Sequence, residues 1–295
     1  MKIKKRLVKR IAIIFLMVII FVGGFWFYRR YTSYVVYQLY DSSGSQAMFY
    51  MIEARRGGLI VIDGGTKENT DYAREVIAQF GNHVDAWILT HPHPDHIGVF
   101  NEIYSDPQGI TVDKIYTVDM DYDLYKENAK PYDQFEVYER FLELTEGDSN
   151  LVYLHDDDVL EILGLEMKVF NAYSDKTAEY SNDLPNIGSL VFKLSAKDES
   201  LLFCSDVYGD AMSNMLADKY KDQLSCDYIQ MGHHGNNSIK EVLLKAANPK
   251  IAFFDAPQWL VEGENYDTAQ NMDMVKNMGG ECFTYITTPN KFVIH

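Results

Sequence analysis

The chain has 295 residues, 47% of them apolar and 14% aromatic, with a formal net charge of −16. That acidity makes nucleic acid and other polyanions poor default partners, though it does not exclude them. Three cysteines, Cys204, Cys226 and Cys282, cannot all pair within one chain, so no disulfide framework is expected and buried free thiols are.

The first thirty residues stand apart. "MKIKKRLVKR" carries six basic residues and no acid, and residues 11–28 follow without a charge, ending in Trp26 and Tyr28 ahead of Arg29 and Arg30. An apolar run of 18 residues just reaches the roughly 20 needed to cross a bilayer as a helix. Six positive charges before it against two after it place the N-terminus in the cytoplasm. The reading is a cytoplasmic basic tail at 1–10, a transmembrane anchor at 11–28 and a folded domain at 31–295 outside the cell membrane. A cleaved signal peptide is the alternative, but its apolar region is shorter and ends at small residues. Beyond residue 30 the chain holds 19 basic and 43 acidic residues, a net charge of −24.

Periodicity then gives the elements in order. "YVVYQLY", "AMFYMIEA" and "GLIVIDGG" read as strands, "DYAREVIAQF" as a helix and "VDAWILT" as a buried strand. An irregular stretch near 105–150 holds the amphipathic pattern "YDQFEVYERFLEL" and a group of tyrosines: Tyr116, Tyr122, Tyr125, Tyr132 and Tyr138. Packing accounts for most of these, with a lid over a site as the other use. Strands around "EMKVFNAY", "GSLVFKLS" and "SLLFCSD" follow, then a helix near 210–220 and the strand "CDYIQMG". A helix, the strand "KIAFFDA", the helix "TAQNMDMVKNM" and two strands close the chain. Two sheets with helices outside satisfy this order.

Polar residues concentrate where strands end: Asp63, then "HPHPDH" at 91–96, then Asp206, then His233 and His234. Imidazole and carboxylate are good ligands for zinc, manganese or iron. His91 and His93, two apart on an extended turn, can face one point. Asp95 and His96 then face a second point a few ångströms away, and a carboxylate at Asp206 can bridge the two.

His91-Pro92-His93-Pro94-Asp95-His96 followed by Gly98, with "LIVIDGG" before and "FCSD" after, resembles the metallo-β-lactamase superfamily. The resemblance covers residues 34–295 and implies a four-layer αβ/βα sandwich behind the N-terminal transmembrane helix, with a site for two divalent metal ions at one edge. Zinc is the first expectation and manganese the second. "PNIGSLVFKL", "SLLFCSD" and "MGHHGNNS" are further similar to the ComEC-type competence-protein domain, and the layout is similar to extracellular phosphorylcholine esterases.

The implied metal ligands are His91, His93, Asp95, His96, Asp206 and one of His233 and His234, with His234 favoured by the family's "GHG". Asp95 and His233 are the implied catalytic residues, His233 as a substrate-facing hydrogen-bond or proton donor. Asp63 orients a ligating histidine or simply shapes its turn. One departure stands out. The family's further histidine before the bridging aspartate is missing, since His155 alone lies between 97 and 205, in the wrong place. Asn186 sits where the ComEC-like group carries asparagine. The first site is therefore expected to bind its metal more weakly. His83, His155 and His295 read as surface or terminal residues, and Trp259 either lines the pocket or packs in the core.

The implied function is a membrane-anchored extracellular hydrolase of phosphodiesters or phosphoesters, working through a metal-activated hydroxide on a small-molecule or cell-envelope substrate. A lactone or amide hydrolase of the same fold, and a non-catalytic binding or sensory ectodomain, are the alternatives.

Overall fold

The computed structural model describes residues 2–41, 43–286 and 288–295. The first sheet runs, in spatial order, Asn290–Ile294, Tyr34–Gln38, Phe49–Ala54, Leu59–Asp63, Ala86–Ile88, Ile115–Thr117 and Leu151–Tyr153. The second runs Glu281–Thr284, Ile251–Phe254, Tyr228–Gln230, Ser200–Phe203, Val191–Ser195, Leu165–Asn171 and Val159–Ile162. Antiparallel hairpins open each sheet, and parallel pairing follows from Leu59–Asp63 in the first and from Ser200–Phe203 in the second.

The period-2 alternation of each strand fixes what its two faces meet. Tyr50 packs edge-on against Phe203 and Phe253 of the opposite sheet, whereas its neighbour Phe49 meets Tyr72 of the helix Thr70–Ala78. In the second sheet Leu201 and Phe203 join the larger core between the sheets. Leu202 packs instead with Leu216 and Leu243 of the outer helices Gly209–Tyr220 and Glu241–Ala247. Trp87 does the same for the first sheet, its ring 5.2 Å edge-on from Phe100 of the helix Pro94–Ser105. This is the mixed α/β architecture of two sheets with helices on their outer faces.

The elements read from the sequence recur within a few residues of their expected bounds. The differences lie in the irregular stretch, where the tyrosines divide. Tyr125 and Tyr138 are buried, whereas Tyr122 and Tyr132 are exposed. Cys204 and Cys226 are buried free thiols, but Cys282 is only half-buried, against expectation. His83 and His155 are exposed.

Residues Lys2–Tyr31 form one helix, within which Ile14–Tyr31 is long and apolar enough to cross a membrane. The side chains of residues 2–13 and 25–27, Trp26 among them, fall outside the described residues. Thr32 and Ser33 alone separate this helix from the first strand.

Candidate metal centre

Because the strands next to the site run parallel, their C-terminal ends open at one edge. Asp63, His91, Asp206, His234 and Asp255 all lie at or just past such ends. Polar side chains accumulate there because a strand's last carbonyls give way to loops free to turn inward. Four of these turn residues, Asp63, Ser205, His233 and His234, take left-handed φ values of 48–55°. That conformation costs a non-glycine residue free energy and persists only where the surroundings enforce it. Here the turn at Ser205 is held by Gln230, whose Oε1 accepts the N–H groups of Cys204 and Ser205.

The helix Pro94–Ser105 starts at the motif itself. Pro94 fits the first helical turn, where its missing N–H costs nothing, and Asp95 stands at the positive end of the helix dipole. The helix seats close to the Thr66–Lys67 backbone. A Cβ on Gly98 would come within 2.6 Å of Lys67 N, so only glycine lets Asp95 and His96 reach the site.

The side chains converge on two overlapping groups. His91, His96 and Asp206 each offer a ligand atom within 4.8 Å of the others, and so do Asp95, His96 and His234. His96 belongs to both groups, where the sequence had placed it only at the second. Asp206 Oδ1 lies 3.3 Å from His96 Nε2, and its Oδ2 lies 3.9 Å from His91 Nε2 and 3.5 Å from His234 Nε2. Asp95 Oδ2 is 3.2 Å from His234 Nε2 and accepts a 3.1 Å hydrogen bond from Gln46. His93 Nδ1 is 3.0 Å from His91 Nε2.

An outer ring of polar groups orients these ligands. Asp63 Oδ2 sits 2.7 Å from His96 Nδ1 and accepts the Thr90 hydroxyl, while Oδ1 accepts the Thr90 N–H. The Asp255 carbonyl receives His234 Nδ1 at 3.1 Å. Its carboxylate is clasped by Gln38, Tyr50 and Gln230, joining the two sheets beneath the site. Burial raises the Asp255 carboxyl to about 6, against the pull of these donors.

Burial alone would lower His96 and His234. The neighbouring carboxylates overturn that and raise both, His96 through Asp206 and Asp63, His234 to about 10 through Asp206 and Asp95. Burial would likewise raise Asp95 and Asp206, but the adjacent imidazoles hold both well below the usual carboxylate range. Burial, with His96 and His93 beside it, pushes His91 well down.

His96 Nε2, His234 Nε2 and Asp206 Oδ1 are buried and make no well-aligned hydrogen bond. Buried polar atoms are nearly always satisfied. Three such atoms aimed at one region, from imidazole and carboxylate, fit divalent cations.

His234 points into the cluster at 1% exposure. His233 lies on the cleft wall with Nδ1 2.7 Å from the Asn236 carbonyl. Asn186 lines the cleft too, its Nδ2 donating to Asp183 while Oδ1 is buried without a partner. The cleft above the cluster holds about 670 Å³ and includes Trp259 and, of the five tyrosines, Tyr132. Sequence reasoning missed Thr90, Asp133 and Asp255. Thr90 and Asp255 sit at strand ends, a signal that was available. Asp133, whose Oδ1 is 3.2 Å from His93 Nε2, comes from a distant turn with no motif.

Residues 43–163 match the sequence model of the Metallo-beta-lactamase superfamily. No curated protein matches the chain. Among solved structures, the metallo-beta-lactamase fold protein YhfI from Bacillus subtilis is similar at 12% identity, with 89% of this chain and 100% of that one covered and a TM-score of 0.56. Igni18, a metallo hydrolase from Ignicoccus hospitalis, is similar at 14% identity over 90% of this chain and 99% of its own, with a TM-score of 0.53. CmlA, a diiron β-hydroxylase from Streptomyces venezuelae, is similar at 13% identity over 89% of this chain and 54% of its own, with a TM-score of 0.56. Residues 43–163 thus carry the sequence likeness to the Metallo-beta-lactamase superfamily, and the fold that these solved structures share extends over about nine-tenths of the chain.

Proposed function

We propose that residues 31–295 are a metal-dependent hydrolase of small phosphodiesters or phosphoesters, held at the outer face of the cell membrane by the N-terminal helix. The observation that carries the hydrolase reading is the set of unpartnered imidazole and carboxylate atoms at the floor of the cleft. His91, His96 and Asp206, with His93 beside His91, would hold a first cation, and Asp95, His96, His234 and Asp206 a second. Divalent cations in such a pair act as Lewis acids and make hydroxide available at neutral pH. Zinc fits this donor set, and manganese and iron are the other metals it accommodates.

The chain's own residues do the rest. Asp63 and the Asp255 carbonyl fix the orientation of His96 and His234. His233, tied through Nδ1, presents Nε2 to the cleft and can hold or pass a proton to a leaving oxygen. Asn186 offers an unpartnered amide oxygen at the same wall. Glu68 and Glu136 at the rim, beside Tyr132 and Trp259, favour a substrate whose far end is cationic.

The full-length protein in detergent, loaded with Zn²⁺ or Mn²⁺, should cleave a chromogenic phosphodiester faster than a phosphomonoester, a lactone or a cephalosporin. Faster turnover of the lactone or cephalosporin would reassign the bond. No turnover with both cations bound would favour a binding domain. Membrane placement is tested by protease accessibility on intact cells: the domain should be digested from outside.

A further inference from the structure

Asp133 lies in the turn between the helices Tyr122–Asn128 and Glu136–Thr145, yet it is only 2% exposed. Its Oδ2 accepts the Lys130 N–H at 2.7 Å, and its own N–H donates to the Lys130 carbonyl. This closes the turn that brings Tyr132 and Gln134 to the cleft. Oδ1 takes no part in that turn. It sits 3.2 Å from His93 Nε2, and both atoms are buried without a well-aligned hydrogen bond among the described residues. The opposite ring nitrogen, Nδ1, faces His91 Nε2 at 3.0 Å.

A neutral imidazole carries one proton, and the nitrogen without it is the one that can ligate. An ionised carboxylate only accepts, so beside Nε2 it selects the tautomer protonated there. We propose that Asp133 is a positioning residue for the first cation: it accepts the Nε2–H of His93 and leaves Nδ1 as the free donor on the side of His91. The histidine missing from this site is offset by a His93 whose tautomer and ring orientation are set in advance. Asp133 also links the turn carrying Tyr132 to the ligand set, so the cleft rim and the first cation share one anchor.

This inference rests on the cation reading of the site, but the tautomer can be measured without any metal. In the metal-free full-length protein, long-range ¹H–¹⁵N spectra should show His93 protonated at Nε2. Asp133→Asn can still accept from Lys130, so the turn is kept, but it turns an amide N–H toward Nε2. The expected result is a switch of His93 to the Nδ1-protonated form and a loss of about 10–100-fold in Zn²⁺ affinity at one site. The second site and the melting temperature should stay unchanged, and Asp133→Glu should restore part of the loss. A proton on Nδ1 in the wild type, or unchanged affinity at both sites in Asp133→Asn, overturns the proposal. If Asp133→Asn does not fold, the wild-type tautomer decides alone. A wild type that binds no divalent cation refutes the cation reading and leaves the tautomer result standing.

Discussion

His96 is gripped at both ring nitrogens, by Asp63 on one side and Asp206 on the other, and it is the only imidazole shared by the two groups. Its replacement should therefore cost more than that of a ligand serving one group. His96→Ala is expected to leave the protein without stable binding at either site, whereas His234→Ala should leave one ion, read by elemental analysis after dialysis. His155→Ala should change neither count, because His155 is exposed and its ring pairs with Asp158, away from the cluster. Two ions retained by His96→Ala would show the cluster is not the binding site. The "HPHPDH" spacing made most of this cluster legible, since a local motif puts its side chains into one small volume whatever the rest of the chain does. Asp133 and Asp255 were not legible, because their contacts to His93 and His234 arise only when distant segments fold together.

Local periodicity located most strands and helices, but it carries no information on which strands become neighbours. The pairing of Asn290–Ile294 with Tyr34–Gln38 joins the two ends of the chain and has no sequence signature. Short strands such as Ile115–Thr117 escaped because three residues show no period. At this scale the helix Pro94–Ser105 can be tested through its close approach to the Thr66–Lys67 backbone. Gly98→Ala puts a methyl 2.6 Å from Lys67 N, and the helix must shift away. Overpacking of this kind costs about 1–3 kcal/mol. The melting temperature should fall by several degrees, and binding by Asp95 and His96 should weaken with it, as calorimetry and Zn²⁺ titration would show. A variant with wild-type stability and affinity would mean the contact relaxes freely.

Across the whole molecule, a charge of −24 beyond residue 30 repels polyanions over a Debye length of about 10 Å at 0.1 M salt. Divalent cations held by the cluster would add positive charge only at the floor of the cleft, where a single phosphate can reach them. Small or zwitterionic phosphodiesters, such as phosphocholine esters, should thus be cleaved with higher kcat/KM than DNA or RNA in dilute buffer. The gap should narrow as salt is added. Nucleic acid turned over faster at low salt would reverse this ranking and favour the competence-protein likeness.

The strand that follows the N-terminal helix is not at the rim of its sheet: Tyr34–Gln38 is zipped on one side to Asn290–Ile294 and on the other to Phe49–Ala54. With Thr32 and Ser33 as the only slack, tension on the helix pulls this strand lengthwise, so both ladders must shear together rather than peel one bond at a time. Gln38, at the far end of the strand, holds the Asp255 carboxylate, and the Asp255 carbonyl holds His234. A mechanical pull at the N-terminus therefore reaches the ligand set through three side chains. In force spectroscopy with the second handle beyond the Gln38 end of the sheet, rather than at the C-terminus beside Tyr34, the domain should resist as one unit and yield in a single high-force event. Removing residues 290–295 should turn that event into a weaker one.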